Sequence, residues 1–295
     1  MTAIDRPAKA AFRTSRYGGI MRSTAITILV AGIMSGPVIP LSGESAALAA
    51  QSQWEIGDFH RSRLLLVAGE GPALQGGLEI AMEEGWHTYW RVPGDAGIPP
   101  QLDFSASSNL ADVTVSYPFP ERYHDGSALS LVYWGHVTLP LRVTPIDPDL
   151  PVTLTVNALF GVCDVICIPA KATMSVTLEP NADDDPRARV AIEQAQRKLP
   201  GTPQAGRFDV QSVTREGDSL EIAVRTPDAD FIDLFAEGPQ DWFLGQPQLV
   251  SHDGAIARYR LPLDGMPEGE TVSGRTFNFV AVADGNAIEK AVPIK

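Results

Sequence analysis

The sequence predicts an all-β protein of two β-sandwich domains joined by a short helix. Three observations carry that expectation. Apolar residues alternate with polar ones in short runs, about every ten residues, and Gly, Pro, Asn and Asp separate the runs. Only one segment, after Pro186, carries apolar residues at helical spacing. The chain has 295 residues, 44% of them hydrophobic, which is enough for one or two cores.

The first fifty residues read as a secretory signal. Arg6, Lys9, Arg13, Arg16 and Arg22 precede an apolar run from Ala25 to Ile39, and small residues follow up to a cleavage point after about Ala49. The run is shorter than the ~20 residues of a membrane span and contains Gly32 and Pro37, so no stable membrane insertion is expected after cleavage. Export is expected to place the cysteines in an oxidising compartment, where disulfides form and persist.

Residues 51–180 are expected to form the first sandwich. Leu78, Ile80 and Met82 alternate, as do Val113 and Val115. The same period recurs at Leu129, Leu131 and Tyr133, at Val137, Leu139 and Leu141, and at Val152, Leu154 and Val156. Met174, Val176 and Leu178 close the series. Residues 181–204 form the linker. Asp185 is placed to cap a helix that starts at Pro186. Ala188, Ile192, Ala195 and Leu199 follow at helical spacing, Lys198 suits the C-terminal dipole, and Pro200-Gly201 stops the helix. Such a helix is either a spacer between domains or a surface helix packed on one of them. Residues 205–295 form a second, smaller sandwich: Leu220, Ile222 and Val224 alternate, then Phe277, Phe279 and a Val280–Val282 run lead to a last strand over 287–293.

The charge balance excludes one class of partner. With 23 Lys+Arg against 36 Asp+Glu the formal net charge is −13. The signal segment holds five basic and two acidic residues, so the mature chain is more acidic still. A nucleic-acid partner is not expected, because phosphates need a basic face. The chain also lacks G-x-S-x-G, a G-x-x-x-x-G-K-[ST] phosphate loop, a G-x-G-x-x-G fingerprint and an H-E-x-x-H helix.

The concentrated signal is the stretch from Phe160 to Pro169, which holds both cysteines, Cys163 and Cys167. In an extended chain, residues four apart stand ~13 Å from each other, whereas a disulfide needs its Cα atoms within about 7 Å. If the two pair, the segment must fold back as a tight loop or hairpin end. A disulfide closing five residues contributes only about 2 kcal/mol through chain entropy, which makes it a poor staple. Three readings stand: a structural disulfide in a non-catalytic binding module, a copper or zinc site completed by His87, His124 or His136, and a redox-active dithiol. Nothing in the sequence brings those histidines together.

Three motifs resemble the N-terminal periplasmic region of the thiol:disulfide interchange protein DsbD family and its copper-tolerance relatives. They are Gly85-Trp86-His87-Thr88-Tyr89-Trp90-Arg91-Val92-Pro93-Gly94-Asp95-Ala96-Gly97, Pro118-Phe119-Pro120-Glu121-Arg122, and Val162-Cys163 to Cys167-Ile168-Pro169. The resemblance implies immunoglobulin-like sandwiches and makes Cys163 and Cys167 the catalytic dithiol, with neither cofactor nor metal. It implies a protein-disulfide reductase component that takes electrons from a membrane-embedded thiol reductase and passes them to periplasmic thiol-disulfide proteins. The family's membrane-spanning and thioredoxin-like parts have no counterpart in this sequence, so the reductase is expected as a separate protein. The Trp86–Trp90 stretch reads as core or as support for the site.

Overall fold

The computed structural model describes residues 51–183 and 185–295; the expected signal segment lies outside the described residues. The first β region runs through β1 (Glu55–Gly57), β2 (His60–Ala68), β3 (Leu74–Met82), β4 (His87–Gly94), β5 (Gln101–Asp103) and β6 (Leu110–Val115). It continues with β7 (Glu121–His124), β8 (Leu129–Trp134), β9 (His136–Pro145), β10 (Val152–Cys163) and β11 (Cys167–Leu178). After helix α1 (Pro186–Gln196) come β12 (Asp209–Glu216), β13 (Ser219–Arg225), β14 (Ile232–Glu237), β15 (Gln248–Asp253), β16 (Ile256–Pro262), β17 (Thr276–Ala283) and β18 (Asn286–Pro293). The alternating segments are strands, as their period of two requires, and the fold is nearly all-β and immunoglobulin-like.

The strands form four antiparallel sheets. One has the order β1-β2-β3-β9-β6, and facing it lies β11-β10-β4-β8-β7, with β5 added to β10. The other two are β12-β13-β16-β15 and β14-β17-β18. Leu64, Leu78, Trp90, Leu131, Leu154 and Phe160 fill the space between the first two sheets.

Two apolar runs that break the alternation have a common cause. Leu64 and Leu66 face this first core, while Leu65 and Val67 face the other way and pack on Ala188 and Ile192 of α1. Likewise Phe235, Val280 and Val282 join the first core, while Leu234, Phe279 and Ala281 join the second. A strand covered on both faces reads as a continuous apolar run. The three-stranded sheet is therefore a shared layer, apolar on both sides, between the two cores.

The helix is a packed one: it lies on the outer face of β2, β3 and β9. Asp185 caps it as expected, accepting from Arg187 N at 2.8 Å, and Gln51 Nε2 donates to the other carboxylate oxygen at 3.0 Å. The helix ends at Gln196, so Lys198 falls beyond it and adds nothing to its last turn. A Cβ at Gly77 would lie 2.9 Å from Thr138 and 3.4 Å from Ile192, so the bare glycine leaves room for the helix.

Candidate active site

Strands β10 and β11 pair without a break from Val152↔Leu178 to Cys163↔Cys167. Asp164, Val165 and Ile166 make the turn, closed by Asp164 N donating to Ile166 O at 3.1 Å. The fold-back puts the two cysteine Cα atoms 4.2 Å apart, and their sulfurs are bonded. The sulfurs are not equivalent. Cys163 is 1% exposed, whereas Cys167 is exposed beside a turn whose Val165 is 92% exposed.

The alternation of the strands sorts the aromatic motif. Trp90 on β4 and Phe160 and Val162 on β10 point into the core. His87 and Tyr89 therefore share the opposite face with Cys163. His87 sits directly across from Cys163 on one side and from Trp134 on the other. Of the stretch read as core or support, Trp90 is core, and His87 and Tyr89 belong to the site.

Tyr89 is the residue that touches both sulfurs. Its hydroxyl donates to Cys163 Sγ at 3.2 Å and lies 3.1 Å from Cys167 Sγ. A disulfide sulfur carries no proton, so the phenol is the donor in both contacts. Burial, with Asp125 and Tyr123 adding to it, pushes the Tyr89 phenol above its ordinary 10.0 and keeps it protonated. Two glycines hold its ring. A Cβ at Gly161 would stand 2.9 Å from the ring, and one at Gly97 would collide with it. Gly97 has φ 138°, open to glycine, and its loop is fastened on both sides. Asp95 N donates to Leu129 O at 2.8 Å, Leu129 N donates to the Asp95 carboxylate at 2.9 Å, and Gly161 N donates to Ile98 O at 2.9 Å. The second half of the long motif thus positions the tyrosine ring.

An aromatic cluster completes this face. The His87 ring centroid lies 4.7 Å from that of Trp134, 5.2 Å from Tyr123 and 5.5 Å from Tyr89. His87 is 2% exposed and its Nδ1 has no hydrogen-bond partner among the described residues. Burial pulls its pKa below the ordinary 6.5, with Asp164 opposing, so the imidazole is neutral at pH 7. Of the three histidines considered for a metal, His87 alone adjoins the cysteines. His124 ends β7, and His136 Nε2 pairs with Glu79 at 2.8 Å.

The motif arginines serve a different purpose, which the sequence did not disclose. Arg122 Nε grips both Asp233 oxygens at 3.0 and 2.8 Å, and its Nη2 donates to Leu234 O and Pro247 O at 2.7 and 2.9 Å. Arg91 bonds Glu237 at 3.0 Å and Glu289 at 2.5 Å. Both fasten the site-bearing sheet to the three-stranded sheet. Their acidic partners lie more than 100 residues away, so no local pattern points to them.

Comparison with known proteins bears on this architecture. Among solved structures, the N-terminal periplasmic domain of ScsB from Proteus mirabilis matches with a TM-score of 0.70 at 21% identity, covering 83% of this chain and 98% of that one. A yeast GGA1 GAE domain matches with a TM-score of 0.24 at 12% identity, over 42% of this chain and 96% of that one. A marsupial T cell receptor gives a TM-score of 0.22 at 9% identity, over 81% of this chain and 98% of that one. No curated protein matches significantly. The family described as thiol:disulfide interchange protein DsbD, N-terminal, matches residues 66–179, which hold all three motifs and both cysteines. Over residues 66–179 the chain is thus similar to the DsbD N-terminal family, a likeness that supports a thiol–disulfide exchange domain there.

Proposed function

We propose that this is an exported thiol:disulfide exchange protein in which Cys163 and Cys167 cycle between disulfide and dithiol. It takes electrons from a membrane-embedded thiol reductase and passes them to disulfides of periplasmic proteins. Residues 51–180 are the exchange unit and residues 205–295 its support. One observation carries the reading: a disulfide at a hairpin tip has one sulfur exposed and one buried, and a single clamped hydroxyl donor serves both.

The asymmetry sets the chemistry. A donor thiolate attacks the exposed Cys167 Sγ, and the bonding pair leaves on Cys163 Sγ, where the Tyr89 O–H meets the new charge. The donor's second thiolate then releases Cys167. In the forward direction the Cys167 thiolate attacks a client disulfide, and Cys163 displaces the client from the mixed disulfide. Two electrons move in each cycle and the cysteines hold them, so no cofactor is required. Val165 and Ile166 at the exposed tip offer apolar contact to a partner. The acidic surface favours partners with basic patches.

The test is trapping. Cys163→Ser leaves Cys167 able to attack but removes the thiol that resolves the adduct. Periplasmic extracts should then show dithiothreitol-sensitive adducts of this variant and none of Cys167→Ser. Absence of adducts from both variants would overturn the reading.

A further inference from the structure

The exchange cycle has a step that the exposed sulfur does not explain. The sulfur of Cys163 is buried in the disulfide form, and on reduction it becomes a thiol that must lose its proton before it can close the disulfide again. Burial in apolar surroundings holds a thiol protonated at neutral pH, and Cys163 at 1% exposure gives water no access to it. A base has to come from the protein.

The groups facing this position are few. From β4 come Tyr89 and His87 and from β7 Tyr123, while Trp134 of β8 packs on His87 and Asp164 of the turn acts on it through its charge. Tyr89 is a donor with its proton firmly held. His87 differs from all of these. It is the cross-strand partner of Cys163, and facing residues in an antiparallel pair have Cβ atoms about 4.5–5.5 Å apart. Its Nδ1 is a buried nitrogen without a partner, and such a group calls for an explanation. It is neutral at pH 7, and the Asp164 carboxylate favours its protonated form once a proton arrives.

We infer that His87 is the proton acceptor for the buried Cys163 thiol in the step that closes the disulfide, an assignment that rests on the exchange reading above. The Cys163 S–H proton passes to the imidazole. The thiolate attacks Cys167 Sγ of the mixed disulfide, the Cys163–Cys167 bond forms, and the Cys167–client bond breaks. The client sulfur leaves as a thiolate and takes up a proton, which restores the neutral imidazole. When a donor dithiol reduces the disulfide, the imidazole takes the proton of the attacking donor thiol and passes it to the Cys163 thiolate.

A chromogenic aromatic disulfide separates the two steps in stopped flow. The reduced protein releases one coloured thiolate when Cys167 attacks and a second when Cys163 resolves the adduct. His87→Gln should slow the second release about a hundredfold or more, the usual range for a lost general base, and the first less than threefold. In the native protein the second release should show a pH inflection below 6.5, and the variant should lack it. His87→Asn serves as the second variant if the first does not fold. An unchanged second release, or a slowed one that keeps its inflection, would overturn the assignment. If the native protein gives no second release at all, the exchange reading itself fails and the assignment with it.

Discussion

The cysteine-bearing edge of the six-stranded sheet and the three-stranded sheet β14-β17-β18 are built on opposite terms. At the cysteine edge one face of the sheet is apolar core and the other carries His87, Tyr89, Cys163 and an aromatic cluster, with an unpartnered buried nitrogen among them. The three-stranded sheet is apolar on both faces, and the polar groups at its border are paired to Arg91 and Arg122. On the proposed function, the first region carries the reaction and the second supports it.

The largest expected effect breaks the supporting side. Arg122→Ala leaves the mostly buried Asp233 carboxylate and two carbonyls without their donor. Removing one partner of such a pair costs about 3 kcal/mol. Urea unfolding should show that loss. At temperatures where the variant is folded its exchange rate should stay near the native one, because Arg122 touches neither sulfur.

Gly161→Ala acts on the site instead. The added methyl meets the Tyr89 ring at 2.9 Å, and overpacking of this kind costs roughly 1–3 kcal/mol. Here exchange should fall even in the folded protein, because the displaced ring no longer serves the sulfurs. Equal exchange rates for Gly161→Ala and the native protein would remove Tyr89 from the account.

Tyr89→Phe sharpens the comparison with a smaller change. A hydrogen bond to the Cys167 thiolate stabilises the reduced form more than the same bond to a neutral disulfide stabilises the oxidised one. Its loss, worth about 1 kcal/mol, should make the reduction potential about 20 mV more negative, read by equilibration against glutathione. The thermal midpoint should barely move.

The smallest effect lies outside both regions. Burial opposes ionisation of Glu79, but hydrogen bonds from His136 and Arg63 outweigh it and hold the carboxyl below its ordinary 4.5. The stability this gives is fully present above 4.5 and is lost as pH falls through the lower folded value. Glu79→Gln should flatten the acid limb of the urea midpoint against pH and leave exchange unchanged.

Much of this was legible in the sequence because local rules govern it. Period two placed β3, β8, β10, β11, β13 and β17, and five-residue spacing required Cys163 and Cys167 to fold back if they pair. Asp185 and Pro186 marked the helix start. The rest depends on partners remote in the chain. Leu65 and Val67 gave no hint that Ile192 covers them, which is why spacer and packed helix were indistinguishable. Tyr89 lay inside a run of aromatics, and its separation from core Trp90 follows only from which face of β4 meets β10. Nothing local in the sequence shows that Gly97 and Gly161 both make room for one ring.

The reduction potential of the Cys163–Cys167 pair tests the central claim most directly. An exchangeable pair, served by a hydroxyl that stabilises its thiolate and open to attack at Cys167, should equilibrate above about −300 mV. A value well below about −300 mV, out of reach of biological thiols, would mark an inert structural bond and contradict the account.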